Sequence, residues 1–360
     1  MTKTKVISMH FPGALVLAAA ASAGCGLLDL DGGNWSSLGL DGKWVTAVAE
    51  TPWGLFAGTR DDGVFRLGPG DRDWHALGLD HLRIYGMLMI AEPQPRLLVA
   101  VGIRTPFDER EAAVFATVDG ATWMPADGDL LAVTGGVASA MSLAVDPDRP
   151  ERLYLGQSWN LLRSEDAGAT WRFVRGEKGL FGQGVWNILM SPARDGTIWA
   201  SVTGAFGTSA VIRSRDWGDT WESFAPFPGV ERPIYALAVD PRNTSRVWAS
   251  LDAGAIASED AGETWEASLV ADYTSIPAFV WQGDDLIAIG MYRNFDTNDA
   301  GDPVGEEINR LRLYRLPGGT GEWEEIDVPS DVRGGRSATL DSNGRLIVGT
   351  AGSGVWCWEP

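Results

Sequence analysis

Beyond residue 43 the chain repeats one pattern of apolar and polar positions. Residues 233–270 illustrate it: P-I-Y-A-L-A-V-D-P, then R-V-W-A-S-L, then A-I-A-S-E-D, then T-W-E-A-S-L-V. Each run alternates apolar and polar residues over four to eight positions, and clusters of Asp, Gly and Pro separate the runs. That is the signature of short strands with one face buried. No stretch after residue 25 carries a sustained helical period with capping residues.

Tryptophan marks the period of the pattern. Trp35, Trp74, Trp123, Trp171, Trp221, Trp265 and Trp323 fall 39, 49, 48, 50, 44 and 58 residues apart. Four antiparallel strands at a period of about 40–50 residues describe one blade of a β-propeller. The expected fold is therefore all-β, a seven-bladed propeller of four-stranded antiparallel blades. Six blades run through 44–79, 84–129, 137–177, 184–227, 233–271 and 275–328. The seventh is split: residues 334–358 supply three strands and residues 33–40 the fourth, so the two ends close the ring and leave no free sheet edge. The division expected is a signal segment at 1–24, a linker at 25–32 and one propeller domain at 33–360.

Four of the tryptophans end closely related phrases: T-V-D-G-A-T-W, S-E-D-A-G-A-T-W, S-R-D-W-G-D-T-W and S-E-D-A-G-E-T-W. The first is one residue shorter than the others. Asp119, Asp166, Asp216 and Asp260 are expected to accept backbone N–H groups inside a tight turn. Gly120, Gly168, Gly218 and Gly262 supply positive φ. Trp123, Trp171, Trp221 and Trp265 then pack against the sheet, worth about 2–3 kcal/mol each on area grounds. The role read here is structural, on the face opposite the one that propellers use for binding.

Composition fits this reading and narrows the function. The chain has 45 Gly and 17 Trp among 360 residues, as suits short strands and tight turns, and a formal charge of -19. Such a surface repels phosphate backbones, so nucleic acid is not an expected partner. With only two cysteines, Cys25 and Cys357, a C-x-x-C site is excluded. Cys357 is either a buried thiol or a partner for Cys25. Only three histidines occur, at 10, 75 and 81, and His10 lies in the leader, so His-rich metal sites and Ser-His-Asp catalysis are poorly supported.

The leader has Lys3 and Lys5, an apolar core centred on residues 14–21 and a close of small residues, the layout of a secretory signal. The apolar core is too short to span a bilayer. Its end, S-A-G-C, resembles a bacterial lipobox. That resemblance implies cleavage before Cys25, a diacylglycerol on its thiol, and an exported protein held at the outer membrane by lipid alone.

The phrase S-x-D-x-G-x-T-W resembles the Asp-box, or BNR, repeat of sialidases, sortilin-type receptor domains and photosynthetic assembly factors. It covers nearly the whole chain after the leader. The resemblance implies a propeller whose loop face, built from second-to-third strand loops and blade-to-blade connections, does the binding. The first-strand ends place Tyr85, Met141, Trp186, Tyr235 and Arg336 at the mouth of the channel. Arg60, Trp159, Arg232 and Arg293 join them at the rim. Aromatics with arginines suit a sugar ring or a peptide. Loops at 104–111, which Arg104 opens, and at 291–309 are enlarged.

Residues 296–307 (D-T-N-D-A-G-D-P-V-G-E-E) resemble a calcium loop, with Asp296, Asn298 and Glu307 at ligand positions. Calcium is the one cofactor the sequence suggests. Two functions follow. The first is a monomeric, non-catalytic binding or scaffold propeller that recognises a protein or glycan of the cell envelope. The alternative is a sialidase-like glycoside hydrolase. That family uses an arginine triad, a Tyr–Glu pair and an acid Asp. The string nearest to its Arg-Ile-Pro element here is Arg83-Ile84-Tyr85, and no three arginines match the triad.

Overall fold

The computed structural model describes residues 35–104, 112–136, 138–157, 160–175, 184–203, 209–224, 234–251, 253–271, 274–297 and 303–359. Seven four-stranded antiparallel sheets form the blades of a propeller. In blade 1 the strands are Val45–Thr51, Gly54–Thr59, Val64–Leu67 and His75–Ala76. Blade 2 has Ile84–Ile90, Arg96–Val101, Val114–Thr117 and Met124–Pro125. Blade 3 has Ser142–Asp146, Arg149–Gly156, Leu161–Ser164 and Arg172–Arg175. Blade 4 has Gly184–Met190, Ile198–Thr203, Ser209–Ser214 and Glu222–Phe224. Blade 5 has Leu237–Val239, Val247–Leu251, Gly254–Ser258 and Glu266–Val270. Blade 6 has Thr274–Gln282, Asp285–Thr297, Pro303–Leu316 and Glu324–Ile326.

Blade 7 is the split one. Gly335–Leu340, Leu346–Thr350 and Val355–Trp358 are completed by Trp35–Gly39, with Trp35 opposite Trp358 and Ser37 opposite Trp356. The first strand of every blade touches the first strand of the next, all the way round, and blade 7 touches blade 1. The ring is closed by this pairing, as the repeat count implied.

The apolar core is divided into seven slabs, each shared by two neighbouring blades. One joins Met87, Met89 and Val99 of blade 2 to Ala47 and Phe56 of blade 1. Another joins Trp199 and Val211 of blade 4 to Leu237 and Ile256 of blade 5. No blade can bury its own faces, so the hydrophobic drive acts between blades. Gly58 shows how tightly the inner strands pass: a Cβ there would lie 2.4 Å from the Ile84 Cγ2 of the next blade.

Three features depart from the sequence reading. A four-residue helix, Leu130–Val133, sits in the connection from blade 2 to blade 3. The loop expected at 291–309 is instead the outer part of a long hairpin, with strands of 13 and 14 residues paired from Leu286 opposite Leu316 out to Thr297 opposite Pro303. After the second strand of blade 2, Ile103–Arg104 pairs with Ala138–Ser139 at the entrance to blade 3.

The four Asp phrases lie between the third and fourth strands, as expected, and share one bonding scheme. Asp166 Oδ1 accepts the Thr170 N–H at 2.8 Å and the Ser164 hydroxyl at 2.8 Å, while Oδ2 accepts the Thr170 hydroxyl at 2.7 Å. Ser164 Oγ in turn accepts the Gly168 N–H at 2.9 Å. Asp216 and Asp260 repeat this arrangement, and Asp119 does so with Thr117 in place of the serine. These bonds to the charged form hold the Asp216 and Asp260 carboxyls down at about 2, and Asp119 and Asp166 are also lowered, with the threonine side chain the largest cause in each. The residue after the aspartate is left-handed: Ala167 at φ 63°, Trp217 at 58° and Ala261 at 60°. The shorter phrase puts Gly120 there, at φ 69°.

The phrase also locks blade to blade. An arginine of the third strand reaches the carbonyl of that left-handed residue on the next blade: Arg66 donates to Gly120 O at 2.8 Å, Arg163 to Trp217 O, and Arg213 to Ala261 O. Arg213 is 1 % exposed and also meets Glu222 at 2.6 Å and Glu263 at 3.1 Å. Three of the marker tryptophans work in the opposite direction, while Trp221 and Trp265 donate within their own turns, to Gly218 O at 3.0 Å and Gly262 O at 2.9 Å. Trp123 donates its indole N–H to Leu77 O on the preceding blade at 2.7 Å, Trp74 to Leu38 O at 2.7 Å, and Trp323 to Ser268 Oγ at 3.0 Å.

Candidate functional site at the loop-face mouth

The inner strands share a backbone device at their loop-face ends. Pairing of first with second strand slips by one residue between Val45 and Ala47, Ile84 and Gly86, Val185 and Asn187, and Gly335 and Ser337. Thr46, Tyr85, Trp186 and Arg336 are the extra residues of these bulges. A bulge breaks the strict in–out alternation and re-aims one side chain, as is common beside binding sites. Tyr85, Trp186 and Arg336 are half-buried, as are Met141 and Tyr235, which precede the first strands of blades 3 and 5.

The structure brings two groups of these residues together. Trp186 and Tyr235 meet edge to face across the boundary of blades 4 and 5, with ring centroids 5.8 Å apart. The Trp186 indole nitrogen is buried with no hydrogen-bond partner, as are Asn187 Oδ1 beside it and Ser201 Oγ, whose residue is opposite Asn187 in the register. Orphaned buried polar atoms cost about 1–3 kcal/mol each. The second group is built on Trp44. The Arg60 guanidinium lies 4.6 Å from its ring centroid and that of Arg336 6.0 Å. The Arg60 backbone N–H donates to Trp44 O at 2.9 Å, which ties the two main chains together at the entrance to blade 1. Nearby, Arg83 lies over Tyr85 at 5.9 Å. Trp44 is a mouth residue that sequence reasoning missed, since it stands outside every Asp phrase.

The remaining candidates are not placed in this way. Trp159, Arg232, Asn298 and Cys25 lie outside the described residues. Arg104 and Arg293 are described only as strand backbone, the first in the pairing with Ala138 and the second opposite Asn309. Of the calcium candidates, Asp296 is opposite Val304 and Glu307 lies in the same strand as Val304, while residues 298–302 between them lie outside the described residues. Among the described residues no group of three or more His, Cys, Asp or Glu is placed to hold a metal. Cys357 is 1 % exposed within the blade 7 sheet.

Glu50 is a carboxyl raised by its surroundings, at the opposite end of the inner strands. Burial, and then the neighbouring Asp341 carboxylate, push it up to about 7 against the opposing pull of Arg345. Asp341 is itself committed: it accepts the N–H groups of Asn343 and Arg345 at 2.9 Å each and the Arg345 Nε at 2.7 Å.

No known protein-family profile matches the chain. Over 162 residues it is 26 % identical to the oligoxyloglucan-reducing end-specific xyloglucanase of Emericella nidulans, a match that covers 40 % of this chain and 20 % of that protein. The chain thus spans about a fifth of the length of that relative. Among solved structures it is similar to the extracellular domain of BT4673 from B. thetaiotaomicron (TM-score 0.63, 13 % identity, 89 % of this chain and 39 % of that one). It is also similar to YCF48 bound to D1 peptide (TM-score 0.61, 13 % identity, 92 % and 98 %) and to an ancestral GH74 enzyme (TM-score 0.52, 15 % identity, 89 % and 36 %). These likenesses establish the propeller fold. No helix among the described residues is long and apolar enough to cross a membrane.

Proposed function

We propose that this protein is a non-catalytic binding propeller of the cell envelope, taking a protein or glycan at its loop-face mouth. The observation that carries the reading is the edge-to-face Trp186–Tyr235 pair, half-buried at the loop-face ends of blades 4 and 5. A partly exposed aromatic surface suits the apolar face of a sugar ring or a peptide. Trp44, with the guanidiniums of Arg60 and Arg336 at 4.6 and 6.0 Å from its ring, adds a second aromatic surface at the mouth, and Arg60 also stands 3.6 Å from Asp61. The Asp phrases are read as Asp-box turns with a structural role. Lipid attachment at Cys25 after removal of 1–24, outer-membrane placement and a monomeric state complete the proposal. A Cys25→Ser variant is then expected in the soluble fraction, and retention in membranes would refute the anchor.

The test of the binding reading uses the mature protein without Cys25, immobilised and exposed to solubilised envelope from its own organism and to a glycan array. Ligands should be retained by the wild type and lost with Trp186→Ala or Trp44→Ala. Retention by both variants would move binding elsewhere. The xyloglucanase match supports a second reading, glycoside hydrolysis. Incubation with xyloglucan oligosaccharides, followed by analysis of reducing ends, separates the two, since release of product would replace binding by catalysis.

A further inference from the structure

The face that carries the Asp turns holds a cleft of about 250 Å³ between blades 4 and 5, lined among others by Ser191, Thr197, Trp199, Arg215, Ser245 and Ala261. Its origin is visible by comparing equivalent positions around the ring. In blade 3 the second-strand residue two before Tyr154 is Arg152, whose guanidinium stacks 4.9 Å from the ring of Trp217, the left-handed residue of the next turn. Blade 2 has Arg96 at the same position, donating to Pro150 O at 3.0 Å, and blade 5 has Arg246, paired with Glu259 at 2.7 Å. In blade 4 that position is Thr197, and the left-handed residue opposite it is Ala261. Both bulky groups that close the boundary of blades 3 and 4 are replaced by small ones, and the cleft is the space they leave.

The lining decides what fits. Arg213 is satisfied by Glu222, Glu263 and Ala261 O, Arg215 stands 3.7 Å from Glu222, and the lining carboxylate of Asp195, which accepts the Thr197 N–H at 3.0 Å, adds a negative charge, so the cleft carries no unbalanced positive charge to hold an anion. Ser191 Oγ accepts the Ala193 N–H at 3.3 Å and keeps its own proton to donate. Hydroxyls of Thr197 and Ser245 add donors and acceptors, while Ala261 and the little of Trp199 that is not buried give a small apolar patch. The volume lies below the roughly 300–1,000 Å³ of sites for drug-sized ligands, which limits the occupant to one small ring. We infer that this cleft is a binding site for a single neutral sugar ring, separate from the loop-face mouth and independent of what that mouth binds.

The test is saturation-transfer NMR on the mature protein with the methyl glycosides of glucose, galactose, xylose and N-acetylglucosamine. At least one should receive saturation from the wild type. Thr197→Arg, which restores the residue type found in blades 2, 3 and 5, should abolish the transfer, with an unchanged melting temperature as the check on folding. Thr197→Val keeps the shape, removes one hydroxyl and should weaken binding by about tenfold, or 1.4 kcal/mol. Trp186→Ala, on the opposite face, should leave the transfer intact. No transfer to any of the four sugars overturns the inference. So does transfer that survives both Thr197 variants, or that Trp186→Ala alone removes.

Discussion

Arg213 of blade 4 donates its guanidinium N–H to the carbonyl of Ala261, the left-handed residue in the Asp turn of blade 5. One buried cation therefore reads the backbone shape of a turn on another sheet. The turns that repeat along the sequence are the points at which neighbouring blades recognise each other.

Removing that cation should be costly. In Arg213→Met the Ala261 carbonyl loses its donor and two carboxylates lose their partner. Glu222 and Glu263 are 56 % and 60 % exposed and can turn to water, so most of the loss comes from the carbonyl. A destabilisation of about 2 kcal/mol is expected in urea unfolding. A change below about 0.5 kcal/mol would mean that the staple carries no weight.

The Asp turns should show an acid limit. The Asp216 and Asp260 carboxyls titrate at about 2 when folded, below the roughly 3.9 of an unfolded aspartate. Folding therefore favours their charged form, and this contribution is complete above about pH 4 and disappears as pH falls through 2. Asp216→Asn or Asp260→Asn should lower the melting temperature by several degrees at pH 7. The gap to the wild type should close near pH 2, and a gap independent of pH would count against the ionised turn.

Glu50 should act in the opposite sense. Its folded value of about 7 lies above that of an unfolded glutamate, so folding favours the protonated form. Nothing is lost below about pH 4.5; stability then falls as pH rises to 7 and is fully reduced above it. Glu50→Gln should be more stable than the wild type at pH 8, by about 2–3 kcal/mol, and equal to it at pH 4. Parallel pH profiles for the two proteins would rule the shift out.

The left-handed residue offers a gain. Ala167 holds φ 63°, a region that disfavours a Cβ. Ala167→Gly copies what the shorter turn already has in Gly120 and should stabilise by about 0.5–1 kcal/mol, net of the extra freedom of the unfolded chain. Chemical denaturation would detect it, and a loss of stability would show that the Ala167 methyl packs favourably.

The blades were legible because each has a buried face and so imprints period two on the sequence, with a tryptophan at a fixed place in each cycle. Even the split blade could be read, since Trp35 lacks an upstream turn phrase and Trp356 lacks a following strand. The hairpin beyond Met291 was read as a loop for the same physical reason. Its outer part (N-F-D-T-N-D-A-G-D-P-V-G-E-E) does not alternate, and residues 298–302 apart, it is nonetheless strand. Arg66, Arg163 and Arg213 escaped notice because an arginine in an alternating strand reads as a solvated charge until the register shows a carbonyl in front of it. Trp44 was missed because its partners, Arg60 and Arg336, are neighbours only once blade 7 has met blade 1. The cleft at Thr197 and Ala261 depends on small residues, which announce nothing in one blade until the others are laid beside it.

The pairing of Trp35–Gly39 with Val355–Trp358 sets an order of events during biosynthesis. The first of these strands is synthesised more than 300 residues before its partner. Until then six blades can stack side by side, but the outermost strand of the seventh waits alone, with both its hydrogen-bonding edges open. A contact so distant along the chain is slow to form. Ring closure is accordingly the last step, and an arc of blades with two exposed flanks is the species that a nascent chain must be kept from sharing with its neighbours.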